Sequence, residues 1–273
     1  MLLAFACSYT TCDFSQRGGH CMTMRKHLVA LLVLGASFLF ASSASAAFPN
    51  FSDCPRSNPE VFTCIDIQSV TGSLEIKGFT VPLGESLEIR GGINQETRRF
   101  IPPTGTNGFF SRTIRIPGGI LGIEFPIPGN AVDAIAQLAG SPSAIVIDLE
   151  IPVTTIRLPV KVKLDNPILG SSCYIGSNSN PTNVNLTTGT TSPPPPNTPI
   201  SGSIGTPSIG GEPPVLTLTG ATSVDNAFPV PGASGCGLFG IVNPLVNLRL
   251  RLPSAAGNNT MIVRNNVAIV AAR

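Results

Sequence analysis

The chain has 273 residues, of which 17 are basic, 15 are acidic and two, His20 and His27, are histidines. Both histidines fall within residues 1–46, so the rest of the chain has no Ser–His or Cys–His nucleophile pair and no histidine ligand for zinc, copper or iron. Residues 1–46 also hold three of the basic residues and one acidic residue, which leaves 14 of each sign in residues 47–273. A chain without net charge lacks the long-range attraction to nucleic acid or to an anionic membrane that a basic protein has.

Residues 24–46 have the three parts of a cleavable signal peptide. Arg25 and Lys26 supply the basic start, residues 28–41 supply the apolar stretch, and Ala-Ser-Ala at 44–46 supplies the small residues of a cut site. A membrane-spanning helix is the alternative, but the apolar stretch is too short to cross roughly 30 Å of hydrocarbon. The pattern predicts cleavage at the end of this segment and a secreted protein that is extracellular or associated with the cell wall.

Residues 1–23 precede the signal as an upstream extension that fits none of its parts. We interpret this extension as a start codon assigned too early, with translation beginning at Met22 or Met24. Mass spectrometry of the exported protein is the check on both interpretations, and we expect it to find no peptide from residues 1–46.

The cysteine count is odd in the whole chain and even after the signal peptide. Of the seven cysteines, Cys54, Cys64, Cys173 and Cys236 remain in residues 47–273. An even set in a secreted chain indicates disulfide bonds, and four cysteines allow three pairings. We favour Cys54–Cys64 and Cys173–Cys236 because each pair lies within one compositional half of the chain, and buried free thiols are the alternative. The spacings match no zinc site.

Apolar and polar residues alternate through residues 61–125, with glycines between the runs, which predicts a succession of short, half-buried strands. One helix is predicted over residues 131–138, because Asn130 can cap its N-terminus and Gly140 can end it. Strands are predicted to resume between residues 144 and 164.

The C-terminal part is predicted to contain five further strands, the last two at residues 246–252 and 261–271. Arg249 and Arg251 alternate with leucines in the first of these, which is typical of a strand with one wet and one apolar face. This completes the prediction of an all-β fold: a β-sandwich-like domain of short antiparallel strands with one short helix and a long Pro/Thr/Ser/Gly-rich loop.

That loop, residues 188–214, is a low-complexity segment. As a linker it would divide the chain into 47–187 and 215–273. We favour a long surface loop within a single β-rich secreted domain spanning 47–273, because the Cys173–Cys236 bond would tie the two sides together.

Two carboxylates, Asp148 and Glu150, lie two residues apart on a predicted strand, so their side chains share a face. Such a pair can bind calcium or act as a general acid and base. No Asp-rich calcium loop accompanies them, and a solvated strand face is the interpretation that we favour. Arg98 and Arg99 lie between turn signals and are interpreted as an exposed loop.

Basic residues form two similar pairs, Lys161 with Lys163 and Arg249 with Arg251. Either pair can contact an anionic glycan. Charges on a strand also discourage edge-to-edge aggregation, and we favour this protective role for both pairs.

Four segments resemble blocks in an uncharacterised family of secreted actinobacterial proteins. They are VKLDNPILGSSCYIGS at 162–177, LTTGTTS with the proline run after it at 186–196, GCG at 235–237 and LPSAAGNNT at 252–260. The resemblance covers most of residues 54–273 and is strongest after residue 160. It implies a bacterial, secreted setting, and it brings no established activity, ligand or catalytic residue.

These observations leave three hypotheses for the function. The first is a non-enzymatic structural or interaction protein of the bacterial cell exterior, with an unknown envelope or extracellular partner. The second is a binding module for an apolar or glycan ligand, although the absence of Trp and near absence of Tyr weigh against glycans. The third is a carboxylate-dependent hydrolase. No residue is assigned to catalysis, a cofactor or a metal, and neither nucleic-acid binding nor a membrane span in the mature chain is expected.

Overall fold

This computed structural model describes residues 48–94, 96–150 and 152–273. The predictions for the upstream extension and the signal peptide lie outside these residues. No helix of sufficient length and hydrophobicity to cross a membrane occurs in the part of the chain that is described.

Antiparallel β-structure dominates the described residues, which confirms the all-β prediction. The strands are β1 (Thr63–Ile76), β2 (Phe79–Pro82), β3 (Leu87–Ile93), β4 (Phe100–Ile101), β5 (Phe109–Ser111), β6 (Ile114–Arg115), β7 (Asp133–Leu138), β8 (Val146–Asp148), β9 (Thr155–Asp165), β10 (Tyr174–Ile175), β11 (Thr182–Thr187), β12 (Thr206–Gly210), β13 (Val215–Asp225), β14 (Ala233–Ser234) and β15 (Asn259–Ala271). The one α-helix among them is α1 (Asn243–Leu250). Four of the strands, β1, β9, β13 and β15, are longer than the short strands that were predicted.

All the described strands belong to one sheet, with the main order β14-β10-β9-β11-β13-β15-β1-β3-β4. The longest pairing joins β1 to β15, from Thr63 opposite Ala271 to Ile76 opposite Asn259. On its other side β1 pairs with β3 and β2, while β9 pairs with β7 and β8.

The β4 end of this order connects back through β8 to β9, so the strands from β9 to β4 close into a ring. Arg99, just before β4, forms a bridge with Val146 of β8, and the Ile147 amide donates to the Arg98 carbonyl oxygen at 2.9 Å. Because β8 also pairs with β9, the ring is continuous. The described strands therefore form one closed sheet rather than the two separate sheets of a sandwich.

Glycine allows the strands to pack closely near this junction. A β-carbon on Gly91 would lie 2.5 Å from the Phe100 ring, so only a residue without a side chain fits there. Phe100 is 1% exposed and fills the space beneath the junction.

The helix predicted over residues 131–138 is wrong, because most of it is strand β7. This strand pairs with β9 from Asp133 opposite Asp165 to Leu138 opposite Val160. Alanine favours helices intrinsically, but pairing with a long neighbouring strand outweighs that preference. Asn130 caps no helix; its side-chain nitrogen donates to the Gly118 and Ile123 carbonyl oxygens at 3.2 and 3.0 Å.

The strand predicted over residues 246–252 is also wrong, because residues 246–250 belong to helix α1. Pro244 stands in the first turn, where its missing amide hydrogen is not needed. Val246 and Leu250, four residues apart, form the buried face of the helix. Arg251 ends it in the left-handed conformation, with φ of 58°.

The segment 188–214 contains strand β12, which pairs with β13 from Thr206 opposite Thr219 to Gly210 opposite Val215. The Asn197 side chain donates to the carbonyl oxygens of Asn226 and Asn259, both at 2.9 Å. The segment is thus held against the sheet and is not loop throughout. Strand β11 precedes the segment and strand β15 follows it, and both pair with β13.

Both favoured disulfide bonds, Cys54–Cys64 and Cys173–Cys236, are present. The first lies in a small apolar cluster with Val61 and Val270. The second lies in the large apolar cluster inside the ring of strands.

Candidate functional site

The interior of the ring contains an apolar cavity of about 120 Å³. Inward-facing side chains of several strands line it, among them Leu158, Val160, Val162 and Leu164 of β9. These residues alternate along the strand, so the residues between them face outward. Thr182 of β11 is the only polar residue among the described residues that line the cavity.

Loops and the helix complete the cavity wall. Phe228 and Val230 contribute from the segment after β13, and Leu250 contributes from the last turn of α1. A second apolar cavity of about 20 Å³ lies next to the first, under α1. Ile116, Leu164 and Leu250 line both cavities and so separate them.

The acidic pair predicted as a candidate site lies on the outside of the ring. Arg98 donates to Asp148 Oδ2 at 2.5 Å and to Glu150 Oε1 at 2.7 Å. The prediction that both acids lie on one strand is wrong for Glu150, because β8 ends at Asp148. One guanidinium group nevertheless binds both carboxylates and offsets one of their two charges. Arg98 is thus a partner of the pair and not simply an exposed loop residue.

The two basic pairs have different surroundings from those predicted. Lys161 and Lys163 lie on β9 between β7 on one side and β10 on the other, so they protect no sheet edge. Arg249, in the last turn of α1, donates to the carbonyl oxygens of Pro117 and Gly119. Arg251 donates to the Lys77 carbonyl oxygen. The two arginines therefore hold loops together and form no common surface.

A buried carboxylate, Asp66 of β1, was not singled out from the sequence. Its Oδ2 accepts hydrogen bonds from the Asn50 amide at 2.7 Å and from the Gln68 side chain at 3.2 Å, while Oδ1 has no hydrogen-bond partner among the described residues. Burial, with a smaller effect of the nearby Glu88 carboxylate, raises the pKa of Asp66 to about 6 against the counteracting Asn50 hydrogen bond and the Arg90 charge.

We expect this carboxylate to make stability depend on pH. The raised pKa means that folding favours the protonated acid, so its contribution is complete below the unfolded pKa and is lost as the pH rises through about 6. The Asp66→Asn variant should show a fall in unfolding free energy from about pH 4 to 7.5 that is smaller than that of the wild type by about 2 kcal/mol. Denaturant titrations across this range are the measurement.

Asp165→Asn, a change at an exposed aspartate, is the matched control and should retain the wild-type pH dependence. Burial also raises the pKa of Asp225, so part of the slope should persist in both variants. An Asp66→Asn slope equal to that of the wild type would contradict this account.

A polar surface cleft lies near Asp66, with a volume of about 480 Å³. Gln68, Glu88 and Arg90 line it. Their side chains bind one another, since Glu88 Oε1 lies 3.2 Å from Gln68 Nε2 and 2.8 Å from Arg90 Nε. Because these groups already have partners, the apolar interior is the stronger candidate site.

No group of three or more His, Cys, Asp or Glu side chains able to hold a metal ion occurs within 48–94, 96–150 and 152–273. No protein-family model, curated protein or solved structure matches the chain.

Strand alternation at β9 predicts which side chains face inward, but it does not reveal a cavity. The cavity depends on how strands distant in sequence, such as β2 and β11, approach across the ring. A sequence signal for it exists only in retrospect: Ala134 and Ala136 are small inward-facing residues on a strand opposite larger ones.

Proposed function

We propose that the protein is a secreted, non-enzymatic protein of the bacterial cell exterior, related to the actinobacterial family that its sequence resembles, and that it binds a small apolar ligand inside its ring of strands. The observation that carries this proposal is the apolar cavity of about 120 Å³. The ligand's source or acceptor would be a component of the envelope or the extracellular medium.

The lining determines the class of ligand. A charged or strongly polar ligand group loses its hydration on entering an apolar cavity, and Thr182 alone cannot replace it. In another protein an apolar cavity of about 150 Å³ stays dry and binds benzene or xenon. The ligand is therefore a small hydrocarbon group, such as an aromatic ring or the end of an alkyl chain.

The free energy associated with an empty cavity also supports binding. Unfilled volume in a core lowers stability by about 24 cal/mol per Å³, or about 3 kcal/mol for a cavity of this size. A ligand that fills the volume recovers contacts that the empty protein lacks.

Two disulfide bonds support the secreted setting, since such bonds persist in oxidising compartments. The hydrolase alternative is weakened by the contacts of Arg98 with both carboxylates of the candidate pair. The glycan alternative is weakened because the chain has no Trp and only two Tyr, whose rings combine an apolar face with a polar group.

Benzene titration tests the proposal. We expect benzene to raise the melting temperature of the protein in a saturable manner, because it binds the folded state alone. Ala136→Leu places additional side-chain atoms in the cavity and should abolish this rise. Ala255→Leu, at an exposed position, is the matched control and should preserve it. A wild-type melting temperature that benzene does not change would refute the proposal.

A further inference from the structure

Large apolar side chains are exposed together at the end of the ring where α1 lies. Six of them define what we call the apolar end surface: Leu121, Phe125, Leu238, Phe239, Ile241 and Leu248. Phe239 is 93% exposed and Leu248 is 80% exposed. Contiguous exposed apolar surface on a soluble protein marks a site of interaction.

Specific contacts bring these residues together. Arg249 connects α1 to the loop that carries Leu121 and Phe125, through its hydrogen bonds to Pro117 and Gly119. Asn130 fixes the shape of that loop, and its Oδ1 accepts a hydrogen bond from the Leu121 amide at 2.8 Å.

The turn that carries Leu238 and Phe239 is anchored from the other side. The Gly237 amide donates to the Leu169 carbonyl oxygen at 2.7 Å, and the neighbouring Cys236 is bonded to Cys173. The surface is therefore formed by anchored segments whose apolar side chains point outward.

Charge is nearly absent from these segments. Residues 117–130 and 236–250 contain two charged residues, Glu124 and Arg249. The Arg249 guanidinium is engaged by backbone oxygens and lies 4.7 Å from the centre of the Phe79 ring. The surface thus offers no cluster of basic groups for anionic headgroups or nucleic acid.

The degree of exposure distinguishes between two apolar occupants. A second copy of the chain would need a surface on which side chains pack closely, as in a protein core. Phe239 and Leu248 instead stand almost free of their neighbours. Phe239 also has a left-handed backbone, with φ of 54°, which is unfavourable for an aromatic residue. Protruding apolar side chains of this kind fit between the acyl chains of a lipid surface.

The same end of the ring is closest to the interior cavities. Leu245 and Ile120 line the small cavity under α1, and Leu250 separates that cavity from the large one. Helix α1 therefore has one side against the cavities and another on the apolar end surface.

We propose that the apolar end surface docks onto a lipid surface with uncharged or zwitterionic headgroups, which places the interior cavity beside the lipid. The docking itself stands on the exposed residues alone. The role of docking in ligand uptake rests on the proposed function.

Vesicle flotation tests the docking. The purified protein should float with phosphatidylcholine vesicles, and Phe239→Asp or Leu248→Asp should lower its partition coefficient at least about tenfold by removing buried apolar area. Ile209→Asp is the matched control: Ile209 is 75% exposed but lies on β12, away from α1, so binding should change by less than about twofold. All variants should retain the benzene-induced rise in melting temperature in the absence of vesicles.

The outcomes separate the two proposals. Failure of the wild-type protein to float overturns the docking, whatever the benzene result. Flotation that requires Phe239, without any benzene effect, supports the docking and refutes the interior ligand. Binding that increases with anionic lipid and is unaffected by Phe239→Asp overturns the docking surface. A wild-type dimer that does not float and that Phe239→Asp dissociates identifies a second copy as the occupant and also overturns it.

Discussion

Replacing Cys173 and Cys236 with alanine is expected to lower the free energy of unfolding by about 4 kcal/mol. The bond joins residues 63 apart in the chain, and a crosslink that closes so long a loop removes much of the conformational freedom of the unfolded state. Denaturant titration of the oxidised wild type and the double variant is the measurement. The variant should also lose vesicle binding, because the bond anchors the turn that carries Phe239.

Cys54 and Cys64 provide the matched control, since they are also a disulfide pair but are separated by only 10 residues. Their replacement with alanine should cost about 3 kcal/mol, which is less than the long-range bond. It should leave vesicle binding of the folded protein intact. An equal or larger loss for the short loop would show that loop closure does not determine the difference.

Leu164→Ala is expected to lower the free energy of unfolding by about 2–5 kcal/mol and, in addition, to change which ligands bind. Leu164 is 1% exposed and separates the two interior cavities, so truncating it joins them. Ligands longer than benzene, such as butylbenzene, should then stabilise the variant more than they stabilise the wild type. Melting temperatures measured with each ligand test this.

Leu218→Ala is the control for this variant, because Leu218 is also 1% exposed and does not line either cavity. It should lose a similar amount of stability without gaining any response to butylbenzene. If both variants gained the response, the effect would come from loosened packing in general and not from the joined cavities.

The sequence predicted the β class and both disulfide bonds because each depends on local information. Alternation of apolar residues marks strands such as β9, and the four cysteines could be assigned by position within the chain. Two elements were predicted with the wrong secondary structure: β7 was predicted as a helix, and most of the strand predicted over residues 246–252 is helix α1. They show the limit of local information. Their short runs of Ala and Leu fit the periodicity of either a helix or a strand. The contacts of each element with the rest of the fold determine its structure: β7 pairs with β9, and α1 buries Val246 and Leu250 against the ring of strands.

The candidate site was less predictable than the fold. The spacing of Asp148 and Glu150 suggested a shared strand face, but β8 ends at Asp148 and it is Arg98 that binds both carboxylates. Nothing nearby in sequence indicated that contact. Asp66 read as an ordinary polar residue of a strand, and its raised pKa follows from burial beneath residues distant in the chain. The cavity and the apolar end surface likewise arise from packing between distant segments, which one sequence does not specify by its periodicity.

The closed sheet holds an unfilled apolar interior, and the one helix of the described residues lies between that interior and an exposed apolar surface. This arrangement suits the binding of small apolar molecules inside the ring, as we propose.

A crystal structure determined under xenon pressure tests this claim most directly, because xenon occupies accessible apolar cavities and scatters X-rays strongly. We expect xenon inside the ring of strands, among Leu158, Val184 and Phe228, and no xenon there in the Ala136→Leu variant. A wild-type crystal with xenon bound elsewhere and none within the ring would contradict it.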